Sequence, residues 1–181
     1  MKVPNDVLNL MEKLDSTTYN HSYRIWKLAI GLEEYFNHAD NDLSTAALLH
    51  DIGKLYVPDS ILDKRGGLST LEREVIDLHP YYGYRILYVF GVKEEVRRMV
   101  LYHHGMQPKL LTVLPEFDDS LVIERAAMLH TLDVFEALTT DRPYKRRMSV
   151  EQACNWMEQE QGYHTETLAY LRSYIKDFAI A

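Results

Sequence analysis

The chain has 181 residues, a single cysteine (Cys154) and a formal net charge of −7. Its 46% hydrophobic content suits one globular domain over residues 1–181 that closes its core without disulfides, and a lone cysteine leaves any bound metal to nitrogen and oxygen ligands. No apolar run reaches the roughly 18 residues a membrane helix needs, Met1 to Asp6 does not read as a secretory leader, and the negative charge argues against a nucleic-acid polymer as partner; a cytoplasmic protein away from the membrane is expected.

Helical periodicity dominates, and no stretch alternates as a strand does. Ser16 or Thr17 starts a long helix through Tyr23, Trp26, Ile30 and Phe36, and Asn37 to Asp42 is a polar break. Asp42 or Ser44 opens a helix through Ala46, Leu48 and Leu49 that ends at Gly53, and Pro58 begins an irregular stretch to Gly66-Gly67. Ser69 with Glu72 forms a capping box for a helix running to His79, where Pro80 interrupts it. A further helix runs from Lys93 to His104, and Gly105 to Asp118, with two prolines, reads as a loop. Asp119 or Ser120 starts a helix carrying Leu129, Leu132, Val134, Phe135 and Leu138, which Arg142-Pro143 ends. Ser149 with Gln152 makes a second capping box, and Gly162 separates the last two helices. No repeat or linker interrupts the series, so the expected fold is an all-α, single-domain helical bundle.

Several ionisable residues stand where apolar ones would be expected. His50-Asp51 closes the apolar run Ala46 to Leu49, His103-His104 follows Met99-Val100-Leu101, and Asp133 lies between Leu132 and Val134. His21 and His79 lie on or near helices expected to pack inward. Buried groups of this kind must be paired, hydrogen-bonded or metal-bound. Any one histidine is ordinarily a packing or surface residue; five histidines and two aspartates together point to a metal cluster. Seven nitrogen and oxygen donors exceed one tetrahedral site and suit two ions of iron, manganese, zinc, nickel or cobalt. The two oxygens of Asp51 allow it to bridge them.

The run His50-Asp51-Ile52-Gly53-Lys54 resembles the signature of the HD superfamily of metal-dependent phosphohydrolases. Ile61-Leu62-Asp63-Lys64, Leu68-Ser69, Glu72-Arg73, His79-Pro80 with Gly83 and Ile86-Leu87, His103-His104, and Asp133 to Lys145 resemble its HD-GYP branch in order and spacing. The resemblance covers roughly residues 16 to 175, and its DRPYK segment, Asp141 to Lys145, is the most specific part. It implies an all-α phosphodiesterase that opens cyclic di-GMP with a hydroxide shared between two divalent transition-metal ions. Iron or manganese are the expected metals, with zinc, nickel or cobalt as substitutes. The metal ligands it implies are His21, His50, Asp51, His79, His103, His104 and Asp133. Asp51 bridges, His21, His50 and Asp133 take one ion, and His79, His103 and His104 take the other. Asp51 and Lys54 are the implied catalytic residues, and Lys54, Arg142 and Lys145 contact substrate phosphate or guanine. Read without the resemblance, Arg142 and Lys145 belong to a solvated basic surface with Arg146 and Arg147. Glu136, one turn after Asp133, either orients a ligand histidine or forms an ion pair. His38, His130 and His164 match no ligand position and read as structural or surface residues.

Two departures from the family pattern stand out. The loop after His104 lacks the Gly-Tyr-Pro motif and carries Gly105 to Pro115, with an apolar centre from Leu110 to Leu114. Members with three metals carry a glutamate one turn before the first histidine, and this chain has Thr17 there, which favours two ions. Three other readings stay open: an HD hydrolase acting on a mononucleotide or nucleoside triphosphate, an HD-type di-iron oxygenase, and a non-catalytic signalling module. A homodimer or a separate signalling-protein partner is compatible with the sequence.

Overall fold

The computed structural model describes residues 3–105, 119–141 and 146–174. Their helices, in chain order, are α1 (Asn5–Met11), α2 (Ser16–Tyr35), α3 (Asp42–Leu49), a 3-10 turn (Ile52–Tyr56), α4 (Asp59–Leu62), α5 (Thr70–Ile76), α6 (His79–Val89), α7 (Glu94–Tyr102), α8 (Ser120–Thr139), α9 (Val150–Glu160) and α10 (Thr165–Tyr174). No strand occurs among the described residues, and the expected all-α bundle is the fold observed.

Local signals explain most of these elements. Asp15 caps α2 by accepting from the Thr17 and Thr18 amides at 2.9 Å. The expected capping boxes are both present, Ser69 with Glu72 on α5 and Ser149 with Gln152 on α9. Asp119 caps α8 through the Leu121 and Val122 amides. On α2, Ile25, Ala29 and Leu32 recur at helical spacing and are fully buried, so one stripe faces the core. That core joins Leu43, Ala46, Ala47 and Leu49 of α3 to Leu87 of α6, Val96, Met99 and Val100 of α7, and Leu129, Leu132 and Phe135 of α8. Around it α2 packs on α3 and α8, α7 packs on α3, α6 and α8, and the 3-10 turn packs on α6.

The structure differs from the sequence expectation in four places. The chain forms α1, which caps the core with Val7 and Met11. The third helix stops at Leu49, not Gly53, because His50 ends it and the chain tightens into the 3-10 turn. The helix expected to reach His79 ends at Ile76, before Pro80, and Pro80 does not break it. Pro80 stands in the first turn of α6, where a missing N–H costs nothing because first-turn amides have no intrahelical acceptor. The segment after Pro58 is irregular apart from the single turn of α4. The Met106 to Pro115 part of the rewritten loop, Arg142 and Lys145 lie outside the described residues.

Candidate metal centre

Three helix ends build the centre. The last carbonyls of a helix have no intrahelical amide to accept from, and a side chain just past the end can satisfy them. His50 follows α3 and donates from Nδ1 to the Ala47 carbonyl at 2.9 Å. His79 lies three residues beyond Ile76, the last residue of α5, and donates from Nδ1 to its carbonyl at 2.7 Å. His103 follows α7 and donates from Nδ1 to the Val100 carbonyl at 2.6 Å. A carbonyl only accepts, so each Nδ1 carries the proton and each neutral ring presents a bare lone pair at Nε2. Burial keeps all three neutral: it pushes His79 down to about 4, and holds His50 and His103 below the usual imidazole value.

Those lone pairs meet other acceptors. His79 Nε2 lies 3.3 Å from His103 Nε2 and 3.3 Å from Asp51 Oδ1. His50 Nε2 is buried without a hydrogen-bond partner among the described residues, 3.5 Å from Asp51 Oδ2. Acceptors turned towards one another in a dry interior repel unless a cation lies between them. The negative ends of the α3, α5 and α7 dipoles add to that preference. The donor set therefore fits divalent metal, with imidazole nitrogens whose proton is already placed elsewhere, as ligand histidines require.

Asp51 stands between two groups. Its Oδ1 faces His79 at 3.3 Å, while its Oδ2 faces His50 at 3.5 Å, His21 at 3.9 Å and Lys54 Nζ at 2.6 Å. It is 2% exposed, and although burial opposes its charge, Lys54 and the imidazoles hold it well below the usual carboxylate range. On one side His21, His50 and Asp133 bring three ligand atoms within 4.8 Å of one another; on the other, His79, His103 and His104 do the same. His104 is the exposed member, and Asp133 is 13% exposed.

His21 reaches the centre from α2 and is held differently. Its Nε2 lies 3.0 Å from Asp133 Oδ1, and its Nδ1 donates to Glu136 Oε2. Burial disfavours its charge, but these carboxylate contacts prevail and push it up to about 9. Asp133 is correspondingly lowered, its own burial outweighed by the His21 hydrogen bond. Glu136 also accepts from Arg24 Nε and, at 2.7 Å, from Thr140 Oγ1. It is thus both the acceptor that orients His21 and an ion-pair partner. Arg24 was not singled out in the sequence; its position three residues after His21, on the same face of α2, is the signal that would have found it.

The sequence matches the HD domain family over residues 18–138. The chain belongs to the HD domain family. Similar curated proteins include a cyclic di-GMP phosphodiesterase of Pseudomonas aeruginosa, 30% identical over 99% of this chain and 44% of that protein. A 3'3'-cGAMP-specific phosphodiesterase of Vibrio cholerae is 37% identical over 65% of this chain and 25% of that protein. This chain therefore spans less than half the length of either relative. The HD domain of the Listeria monocytogenes phosphodiesterase PgpH, solved in complex with cyclic di-AMP, matches at a TM-score of 0.65 and 15% identity, covering 95% of each chain. That likeness establishes the shared HD fold. The resemblance to the HD-GYP branch seen in the sequence agrees with these relatives. No helix among the described residues is long and apolar enough to cross a membrane.

Proposed function

We propose that this HD domain hydrolyses a phosphodiester bond of a cyclic dinucleotide, with cyclic di-GMP as the preferred substrate, at a centre of two divalent transition-metal ions. The observation that carries the reading is the placement of Asp51, one oxygen towards each of two histidine groups. His21, His50 and Asp133 would hold one ion and His79, His103 and His104 the other, with Asp51 shared. Bound there, two such ions lower the pKa of a water and neutralise phosphate oxygens. Iron or manganese fits a set of six imidazole or carboxylate donors around a bridging carboxylate, with zinc, nickel or cobalt as substitutes.

The chain's own residues do the rest. The Nδ1 bonds of His50, His79 and His103 keep each imidazole in one tautomer, so no proton has to be moved from them before an ion binds. Lys54 offsets the charge of Asp51 and, 22% exposed, can extend towards a phosphate that accumulates negative charge as it is attacked. Arg142 and Lys145 are assigned to substrate by their place in the motif that follows Asp133, Arg142 as a planar fork for phosphate or a guanine edge. The cyclic dinucleotide class is supported by the curated relatives, whose names include both cyclic di-GMP and cGAMP. Such substrates are messengers within cells, so the domain is assigned to the cytoplasm, acting as one domain over residues 1–181.

The test is a product assay. Protein loaded anaerobically with iron or manganese is incubated with cyclic di-GMP, 3'3'-cGAMP and cyclic di-AMP, and products are separated by chromatography. Hydrolysis of at least one, fastest for cyclic di-GMP and abolished by chelation, is expected. Inertness towards all three, with both ions bound, would overturn the reading.

A further inference from the structure

His130 lies one helical turn before Asp133 on α8, so the two side chains share a face. With His104 they offer three ligand atoms within 4.8 Å of one another. His130 Nδ1 is buried and has no hydrogen-bond partner among the described residues. The ring stacks on Tyr163, with centroids 5.6 Å apart and planes 13° from parallel, and meets His104 edge-on at 6.0 Å. Stacking on Tyr163 accounts for the plane of the ring. It does not account for a nitrogen turned into the interior without a partner, since a phenyl ring would stack as well and bury no polar atom.

We propose that His130, with Asp133 and His104, forms a third divalent-cation position beside the two-ion centre. The inference rests on that centre, because Asp133 and His104 belong to both. Two nitrogens and one carboxylate oxygen suit the same class of transition-metal ion. Asp133 can serve both positions: its Oδ1 faces His21 at 3.0 Å, and a carboxylate has a second oxygen for an ion on the His130 side. One nitrogen of His104 cannot serve two ions, so while the His79 and His103 side holds it the third position rests on His130 and Asp133 alone, and it is the weakest of the three. It lies on the exposed flank of the centre, since His104 is exposed. An ion there adds positive charge where a dianionic substrate would approach. This position is distinct from the one implied by family members with a glutamate at the place of Thr17, which is exposed on the first turn of α2.

The test counts ions, independently of turnover. The metal-free chain of residues 1–181 is titrated with cobalt(II) under anaerobic conditions and followed by calorimetry and visible absorption. The wild-type protein should take up two tight equivalents and then a third, weaker one with its own absorption change. His130→Phe keeps a ring against Tyr163 but has no donor, and His130→Ala removes both. Each variant should retain the two tight equivalents and lose the third. A third equivalent that persists in His130→Phe, or a wild-type titration that ends at two, would overturn the proposal and leave the two-ion centre standing. Absence of any tight equivalent in the wild-type protein would instead overturn the two-ion reading, and this inference with it.

Discussion

Helix ends, rather than loops, determine the protonation of the imidazoles. His50, His79 and His103 each spend their Nδ1 proton on a carbonyl three residues back, and burial keeps the rings neutral. His21 is the exception, because its neighbours are carboxylates that hold its proton to about 9. The sign follows directly. Metal-free protein gains stability from charged His21 below its unfolded value near 6.5, and that gain is lost as pH rises through about 9. An ion on the His21 side must displace that proton, whereas His79, held down to about 4, has none to give at neutral pH. Binding on the His21 side should therefore release about one proton per ion at pH 7, with affinity rising with pH until about 9. Calorimetry in buffers of different ionisation enthalpy measures this, and release of no proton by either ion would contradict it. Glu136 orients His21, so Glu136→Ala should weaken the ion on that side by about 10–100-fold while sparing the other; competition with a chromogenic chelator reads both. Lys54→Ala should leave the metal content intact and slow hydrolysis on the order of 10²–10³-fold, the usual cost of losing one donor to developing charge. Wild-type turnover in that variant would return Lys54 to a purely structural pairing with Asp51.

At the scale of elements, the centre depends on how closely the 3-10 turn approaches α6. A Cβ built on Gly53 would lie 1.9 Å from the His79 carbonyl oxygen and 2.5 Å from the Gly83 amide nitrogen. Both are backbone atoms, so no side-chain rearrangement can relieve the contact. Gly53→Ala should force the turn and α6 apart, lower stability by about 1–3 kcal/mol or more, and displace His79 from Asp51. Thermal unfolding and metal titration measure the two effects, and an unchanged Tm with full metal content would contradict the close packing. This junction also shows where sequence reading succeeds and where it stops. His50, Asp51, His103 and Asp133 were legible because each interrupts an apolar run, a cost that only pairing or metal explains. The capping boxes of α5 and α9 were legible because the signal is local. Helix α6 was not, because Pro80 reads as a breaker unless its position in the first turn is known, and Tyr81, Tyr82, Tyr84 and Tyr88 blur the apolar stripe. The 3-10 turn has no signal in the sequence, because its tightening depends on the approach of Gly53 to α6, a tertiary contact that local propensity does not record. His130 reads as structural in the sequence because the surroundings of its nitrogen are set by His104 and Tyr163, far away along the chain.

Across the whole molecule, a chain with net charge −7 would hold the proposed anionic substrate only through local cations. The bundle gathers donors for such cations by converging α2, α3 and α8 on one face of Asp51, and α6 and α7 on the other. Charged pairs elsewhere hold that arrangement. Arg125 of α8 reaches Asp40 at 2.8 Å, and Lys93, just before α7, pairs with buried Asp42 at the start of α3. Asp51 faces both halves of the bundle, and sharing that carboxylate is what separates the proposed two-ion centre from two independent sites. The direct test is to count tightly bound ions in Asp51→Asn by elemental analysis after loading and desalting, with circular dichroism to verify the fold. Loss of both tight ions together, with hydrolysis of the cyclic dinucleotide abolished, is the predicted result. Retention of one ion at full occupancy in the folded variant would contradict the bridge, and with it the account of the centre.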